Sequence, residues 1–399
     1  MKTFYQATLS AILPVLITIL PAKAGQEWHH LNHISEEDLT DVHFINENEG
    51  WFIGDDGLIL HTENGGIDWD QQEIESNEDL VEIMFTSESA GWIVGDYSIF
   101  NTADNGENWT EFTPDNENPM TSGHFINDST GWTVTMTGEV WFTNNFGETW
   151  ESKDNNLSSW LQSVYFIDES MGWVASRDGE LFETSTGGDQ WEEIDDIEAE
   201  GLNDIFFLND ELGWIVGENG IIFHTENGGT EWNEQANLDA NVLRSIHFPE
   251  ENYGWIAGTR SPDIAIFSTE DGGNSWNEEI FENVASAEKI FFPSAEKGWT
   301  AGSLGEVLHY GDIHLNITTE ETKKQIGQVY PNPASDWVEI SVEEDAEYQL
   351  FSIDGTLLQS GKVLNASSKR LTIDHLEPGL YYLNLTTGRS SHGHKLKIY

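Results

Sequence analysis

Along residues 39–310, apolar and polar positions alternate with a period of two, and Gly, Asn or Asp breaks the pattern about every ten residues. Such alternation predicts short, half-buried strands, and the frequent breaks leave no room for helices. The pattern repeats with a spacing of about 41 residues. Gly-Trp recurs at Trp51, Trp92, Trp132, Trp173, Trp214, Trp255 and Trp299. Six residues before each of these glycines stands a Phe: Phe44, Phe85, Phe125, Phe166, Phe207, Phe248 and Phe292. Each unit reads as four strands. The first ends at the Phe, the second is the Gly-Trp strand (Gly50–Gly54), the third resembles Leu58–Thr62, and the fourth begins at a second Trp such as Trp69. Four short strands per unit of this length predict a propeller blade.

Between the third and fourth strands lies a tight turn, Thr62-Glu63-Asn64-Gly65-Gly66-Ile67-Asp68-Trp69, repeated at 102–109, 143–150, 184–191, 225–232 and 269–276. Asn or Asp accepts backbone N–H bonds inside such a turn, and Gly takes a backbone conformation costly for other residues. The motif resembles the Asp-box, or bacterial neuraminidase repeat. Asp104 and Asp271 match its acidic position, Asn64, Asn145 and Asn227 are near substitutes, and Thr186 departs from it. The resemblance implies a structural role for these residues and for Trp69, Trp109, Trp150, Trp191, Trp232 and Trp276, away from any active site.

One period before Trp69 stands Trp28, while the last unit, 287–310, has three strands and no second Trp. The expected fold class is therefore all-β: a seven-bladed β-propeller closed by the N-terminal strand, followed by a small C-terminal β-sandwich. Closure would leave no open sheet edge; an unclosed array and an eighth, degenerate blade are the alternatives. Residues 25–311 resemble the propeller family of photosystem II stability and assembly factors. Sialidases, sortilin-type receptors and xyloglucan-processing hydrolases are related Asp-box propellers. This likeness specifies a fold better than an activity.

The two ends carry targeting signals. Residues 1–24 read as a signal peptide, with Lys2, an apolar run from Ala7 to Leu20, and Ala22-Lys23-Ala24 before cleavage near Gly25. The run is short for the alternative, a membrane anchor, and no later stretch could span a bilayer, so the mature protein is expected to have no transmembrane segment. Residues 312–328 are polar and read as a linker. Residues 329–399 carry Tyr330-Pro331-Asn332-Pro333, Asp354-Gly355, Pro378-Gly379 and a basic end, Lys395 to Tyr399. This ordered set resembles the type A C-terminal sorting domain of the type IX secretion system. It implies a Bacteroidetes-like bacterium, a partner in that machinery, and a secreted or outer-membrane-surface location reached through the periplasm. An adhesive or carbohydrate-binding β-domain is the alternative.

Composition narrows the chemistry. The net charge is -56, from 72 Asp and Glu against 16 Lys and Arg. Nucleic acid and anionic lipid would be repelled, whereas concentrated salt would be tolerated. There are no cysteines, which excludes thiol catalysis and thiolate metal sites. No metal site or cofactor is expected; Asp55-Asp56-Gly57 is only a fragment of a calcium loop. His43, His124 and His247 precede strand-one phenylalanines and are expected to pack between blades.

Before the linker there are three arginines, Arg177, Arg244 and Arg260. Propeller geometry puts all three on the face opposite the Asp-boxes, the mouth face, together with Tyr97, Asp55 and Asp178. Three cations on one face of so acidic a chain could hold an anion, or could simply be paired with its acids. The equivalent position at the start of strand one holds Asp41, Glu82, Asp204 and Lys289. The expected function is a non-enzymatic binding or scaffold module for a protein or glycan. The alternatives are an Asp-box glycoside hydrolase, sialidase-like or polysaccharide-acting, and an assembly or stability factor. No catalytic residue is assigned: the arginines and Tyr97 match a sialidase set only loosely, and the Arg-Ile-Pro motif is absent.

Overall fold

The computed structural model describes residues 27–31, 34–72, 74, 76–114, 118–153, 155–195, 197–282 and 284–311, and, in the C-terminal part, 327–330, 337–342, 345–352, 357–364, 368–373, 375–376, 379–387 and 390–398. The expected signal peptide lies outside the described residues, as do nearly all of the linker and the Tyr330-Pro331-Asn332-Pro333 and Asp354-Gly355 motifs in whole or in part. The same holds for Pro378 and for the side chain of Lys395.

The chain is all-β, built from repeated four-stranded antiparallel sheets consistent with a propeller. Sheet 1 runs Leu39–Phe44, Gly50–Gly54, Ile59–Thr62, Asp70–Gln72 in simple up-and-down order. Sheets 2 to 6 repeat this order over residues 80–112, 120–152, 161–193, 202–237 and 242–281. Sheet 7 has three strands of its own, Lys289–Ser294, Lys297–Ala301 and Val307–Tyr310, and Trp28–Leu31 pairs antiparallel with the last of them. The first strand of each sheet contacts the first strands of its two neighbours, and that of sheet 7 contacts those of sheets 6 and 1. The C-terminal residues form a three-stranded and a four-stranded sheet around their own core, including Val338, Ile340, Leu350 and Leu383.

The repeat exists because of one packing unit. In sheet 1 the Phe44 ring covers Gly50, where an added Cβ would lie 2.3 Å from it. A Gly is needed here for space, not for backbone freedom. The other face of each Phe receives the Trp of the preceding sheet. Trp51 stacks on Phe85 at 4.0 Å, Trp92 on Phe125 at 4.2 Å and Trp132 on Phe166 at 3.7 Å. Trp173–Phe207, Trp214–Phe248 and Trp255–Phe292 continue the series, and Trp299 stacks on Phe44. The second Trp meets the edge of the same Phe: Trp69 on Phe44, Trp109 on Phe85, Trp150 on Phe125, Trp191 on Phe166, Trp232 on Phe207 and Trp276 on Phe248. Trp28 does this for Phe292, at 5.7 Å and 84°. Such aromatic pairs contribute about 0.5–1.5 kcal/mol each beyond the area they bury.

The turns after the third strands are built alike. Thr102 Oγ1 donates to Asp104 Oδ1 and accepts Gly106 N–H, while Asp104 Oδ1 accepts Asn108 N–H. Asn64, Asn145, Asn227 and Asp271 accept the equivalent bond from Asp68, Thr149, Glu231 and Ser275. Thr186, which lacks a carbonyl or carboxylate oxygen, accepts it from Gln190 through its hydroxyl at 2.9 Å.

Two features depart from simple strand reading. The loop after the Gly-Trp strand of sheet 1 is a 3-10 turn, Asp55–Gly57, so the third strand starts at Ile59 rather than Leu58. Sheet 6 is longer than the others, with Val242–Glu250 and Tyr253–Arg260 carrying its hairpin further.

Candidate functional site

The loops between second and third strands share a face with the segments leading into the first strands. Backbone bonds tie them together: Asp55 N–H to Asp38 O, Asp96 N–H to Asp79 O, Arg177 N–H to Trp160 O and Glu218 N–H to Gly201 O. The six residues singled out from the sequence distribute over this face by sheet: Asp55 on sheet 1, Tyr97 on sheet 2, Arg177 and Asp178 on sheet 4, Arg244 and Arg260 on sheet 6.

The three arginines have different surroundings. Arg260 holds Glu278 through Nη1 at 3.0 Å and Asp239 through Nη2. Arg244 Nη1 lies 3.1 Å from Glu288 Oε2, just ahead of the first strand of the next sheet. Thr40 and Thr121 occupy the same position in their sheets and donate instead to the next sheet's Leu80 O and Leu161 O. Arg244 thus takes the place of a linker between sheets. Arg177 is exposed, and its guanidinium lies 4.5 Å above the Trp160 ring. Among the described residues no carboxylate lies within ion-pair distance of it. Trp160 stands outside the repeated aromatic series, so the repeat gave no signal for it; its signal was its position just ahead of a first strand on the mouth face.

The rest of the face is acidic. Burial, followed by Asp79, Asp38, Asp56 and Glu37, raises the Asp55 carboxyl to about 6. Burial, then Asp79 and Glu78, also raises Asp96. Tyr97 is 44% exposed, and its N–H donates to Glu78 Oε2. Asp178 is exposed in the turn after Arg177. A shallow depression of about 400 Å³ opens beside the Arg177 loop, lined by Glu198, Glu200, Glu218, Asn219 and Asn237 among others.

Beneath the face, the inner strands present two layers. The upper one holds Asp41, Glu82, Ser122, Ser163, Asp204, Ser245 and Lys289, one per sheet. The lower holds His43, Met84, His124, Tyr165, Phe206, His247 and Phe291. His43 and His247 both pack on Phe291, at 4.8 and 4.5 Å, and His124 on Tyr165 at 3.9 Å. Burial holds His43 down to about 4 and His124 and His247 to about 3. These are neutral packing residues. Among the described residues, no group of three His, Asp or Glu could hold a metal ion, and no helix is long and apolar enough to cross a membrane.

Comparison with known proteins places this geometry. The family model "Photosynthesis system II assembly factor YCF48" matches residues 20–156 and 144–242, and "Secretion system C-terminal sorting domain" matches 328–399. No curated protein matches the sequence. Among solved structures, one described as YCF48 bound to D1 peptide is 21% identical, covers 71% of this chain and 96% of its own, and has a TM-score of 0.59. YCF48 from Cyanidioschyzon merolae is 18% identical over 71% of this chain and 98% of its own, at 0.56. The extracellular domain of the hybrid two-component system BT3049 from B. thetaiotaomicron is 12% identical over 93% of this chain and 57% of its own, at 0.57. At these identities the likeness is one of fold. The sorting domain points to secretion. With its repeat covered by the family model over residues 20–242, the chain belongs to the photosynthesis system II assembly factor YCF48 family and carries a secretion-system C-terminal sorting domain.

Proposed function

We propose that this is an exported, non-enzymatic binding propeller that captures a carboxylate-bearing segment of a protein or glycan on its mouth face, at Arg177 and Trp160. The observation that carries the reading is the exposed guanidinium of Arg177, lying over Trp160 with no acid within ion-pair distance among the described residues, on a chain where Arg244 and Arg260 are paired. A stacked arginine keeps its planar fork of donors for a carboxylate and loses little freedom on binding. The acids lining the adjacent depression suit a ligand that also bears positive charge, which favours a peptide. The relative described as bound to a D1 peptide is a propeller of this family and supports the same class of ligand.

The binding face rests on a proposed architecture. Residues 1–24 are a signal peptide, 25–311 a seven-bladed Asp-box propeller closed by Trp28–Leu31, 312–328 a linker, and 329–399 the sorting domain, engaged by the type IX machinery. Seven four-stranded sheets, the pairing of Trp28–Leu31 into sheet 7 and the Trp299–Phe44 stack support closure. The protein ends at the cell surface or in the medium.

The experiment screens the immobilised propeller against peptides with free carboxyl termini and against a glycan array containing sialosides and algal polysaccharides. The expected result is capture without turnover, weakened at least tenfold by Arg177→Ala. Hydrolysis of any of these glycans that disappears when a mouth-face acid is replaced would overturn the reading.

A further inference from the structure

The upper layer of the inner strands is a belt of hydrogen bonds with one irregular place. Each acceptor takes the N–H of a residue in the next sheet. Asp41 Oδ2 accepts from Ile83 at 2.8 Å, Glu82 Oε2 from Gly123 at 2.8 Å and Ser122 Oγ from Val164 at 3.2 Å. Ser163 Oγ accepts from Ile205 at 3.2 Å, Asp204 Oδ2 from Ile246 at 3.0 Å and Ser245 Oγ from Ile290 at 3.4 Å. The seventh position is Lys289, and an ammonium has no lone pair to offer. The N–H it would have served, that of Val42, is taken instead by the second oxygen of Asp41, at 2.8 Å. Asp41 therefore does two acceptors' work, which a serine hydroxyl at this place could not match in the same geometry.

Lys289 uses its freedom from the belt to reach across it. Its Nζ lies 3.6 Å from Glu82 Oε1 and 3.8 Å from Asp204 Oδ1, each two sheets away in opposite directions. Three acids and one ammonium thus share the layer, Asp41 and Asp204 buried and Glu82 and Lys289 half-buried, and Lys289 is its one cation among the described residues. An acid in such a place carries a large desolvation cost unless a counter-charge meets it.

We propose that Lys289 is the electrostatic lock of the ring: the sheet that joins the two ends of the propeller supplies the cation that lets Glu82 of sheet 2 and Asp204 of sheet 5 share the inner layer. The proposal rests on the closed seven-sheet ring proposed above. The two fail separately, because the ring is tested at Trp28 and the lock at Lys289.

The test compares Lys289→Met, a side chain of similar length without charge, with the same change in a Glu82→Gln, Asp204→Asn background, in the full chain. Lys289→Met should lower the Tm by about 5 °C, as expected for leaving the buried Asp204 and the half-buried Glu82 without their cation in a domain of this size. Neutralising the two acids should restore most of that loss. If Lys289→Met does not fold, recovery of folded protein in the triple variant carries the same meaning. An unchanged Tm in Lys289→Met, or a loss that the two neutralising changes fail to rescue, overturns the proposal.

Discussion

Trp299 of sheet 7 stacks on Phe44 of sheet 1 with ring centroids 3.7 Å apart and planes 11° apart. The two residues are separated by nearly the whole repeat region, yet their geometry matches that of Trp132 on Phe166, from adjacent sheets. The junction is also tied at both rims. Leu304 N–H donates to Asp38 Oδ1 at 2.7 Å on the mouth side, and Lys297 Nζ donates to Glu47 O at 2.7 Å on the other. Trp28, which meets Phe292 edge-on, completes sheet 7. Trp28→Ala should therefore cost about 3 kcal/mol, read by urea denaturation, like the loss of a core aromatic elsewhere. A change under about 0.5 kcal/mol, typical of a surface substitution, would contradict closure by the N-terminal strand.

The glycine of the Gly-Trp pair makes a second, independent claim about the same unit. An added Cβ at Gly131 would lie 2.0 Å from Phe125, whose other face is held by Trp92. Gly131→Ala should destabilise by about 1–3 kcal/mol through overpacking. Near-UV circular dichroism should report the disturbed Trp92. An unaltered spectrum with unaltered stability would mean that the Phe has room to move.

At the third-to-fourth strand turns the requirement is an acceptor rather than a charge. Asn64, Asn145, Asn227 and even Thr186 fill the place held by Asp104. Asp104→Asn should leave thermal stability within about 0.5 kcal/mol of the parent, whereas Asp104→Ala should lose about 1 kcal/mol. Equal losses from both would point to the charge.

Buried ionisable groups set the pH dependence. His43, His124 and His247 are held to about 4, 3 and 3, below their unfolded value. Their neutral form is the folded one. The stability they allow is present above about 6.5 and is lost as pH falls toward 4 and below. Asp41 acts in the opposite sense. Burial raises it to about 7 against the pull of Lys289, so its contribution is complete below about 4 and is lost as pH rises through 7. Tm measured from pH 4 to 8 should fall on the acid side, and His124→Phe should flatten that limb. Asp41→Asn should remove its opposing loss between about pH 4 and 7 and so steepen the rise from the acid side, while lowering stability throughout, because one belt acceptor is gone. An acid limb of the same slope in His124→Phe would contradict the neutral, buried assignment.

Passage from the periplasm to the surface should depend on the C-terminal domain. Deleting residues 329–399 should leave a folded propeller in the periplasm, detected by fractionation and protease accessibility. Normal delivery of the truncated chain to the surface would contradict the sorting role.

Much of this could be read from the chain. Gly-Trp, the Phe six residues earlier and the register of Trp28 with the later tryptophans carried the sheet pattern, because one packing unit recurs in each sheet and stamps the same spacing on the sequence. Residues outside that spacing were not legible in the same way. Trp160 belongs to no aromatic series, so its contact with Arg177 emerges only when the loops of sheet 4 are brought together. Arg260 occupies the loop equivalent to that of Arg177, and Arg244 enters a first strand on the same face. What separates them is the location of Glu288, Glu278 and Asp239, and on a chain with 72 acids no spacing identifies those partners. Lys289 shared an equivalent position with Glu82 and Asp204, but its contact with both depends on sheets that meet only across the centre.

The binding reading turns on Arg177, and affinity is its most direct test. The best binder from the peptide and glycan panels is titrated against the parent propeller, Arg177→Ala and Arg260→Ala, with Tm recorded for each. Arg177→Ala should weaken binding at least tenfold with no change in Tm. Arg260→Ala, losing exposed ion pairs worth about 0.5–1 kcal/mol, should shift Tm slightly and leave affinity within about twofold. Unchanged affinity in Arg177→Ala would contradict the account.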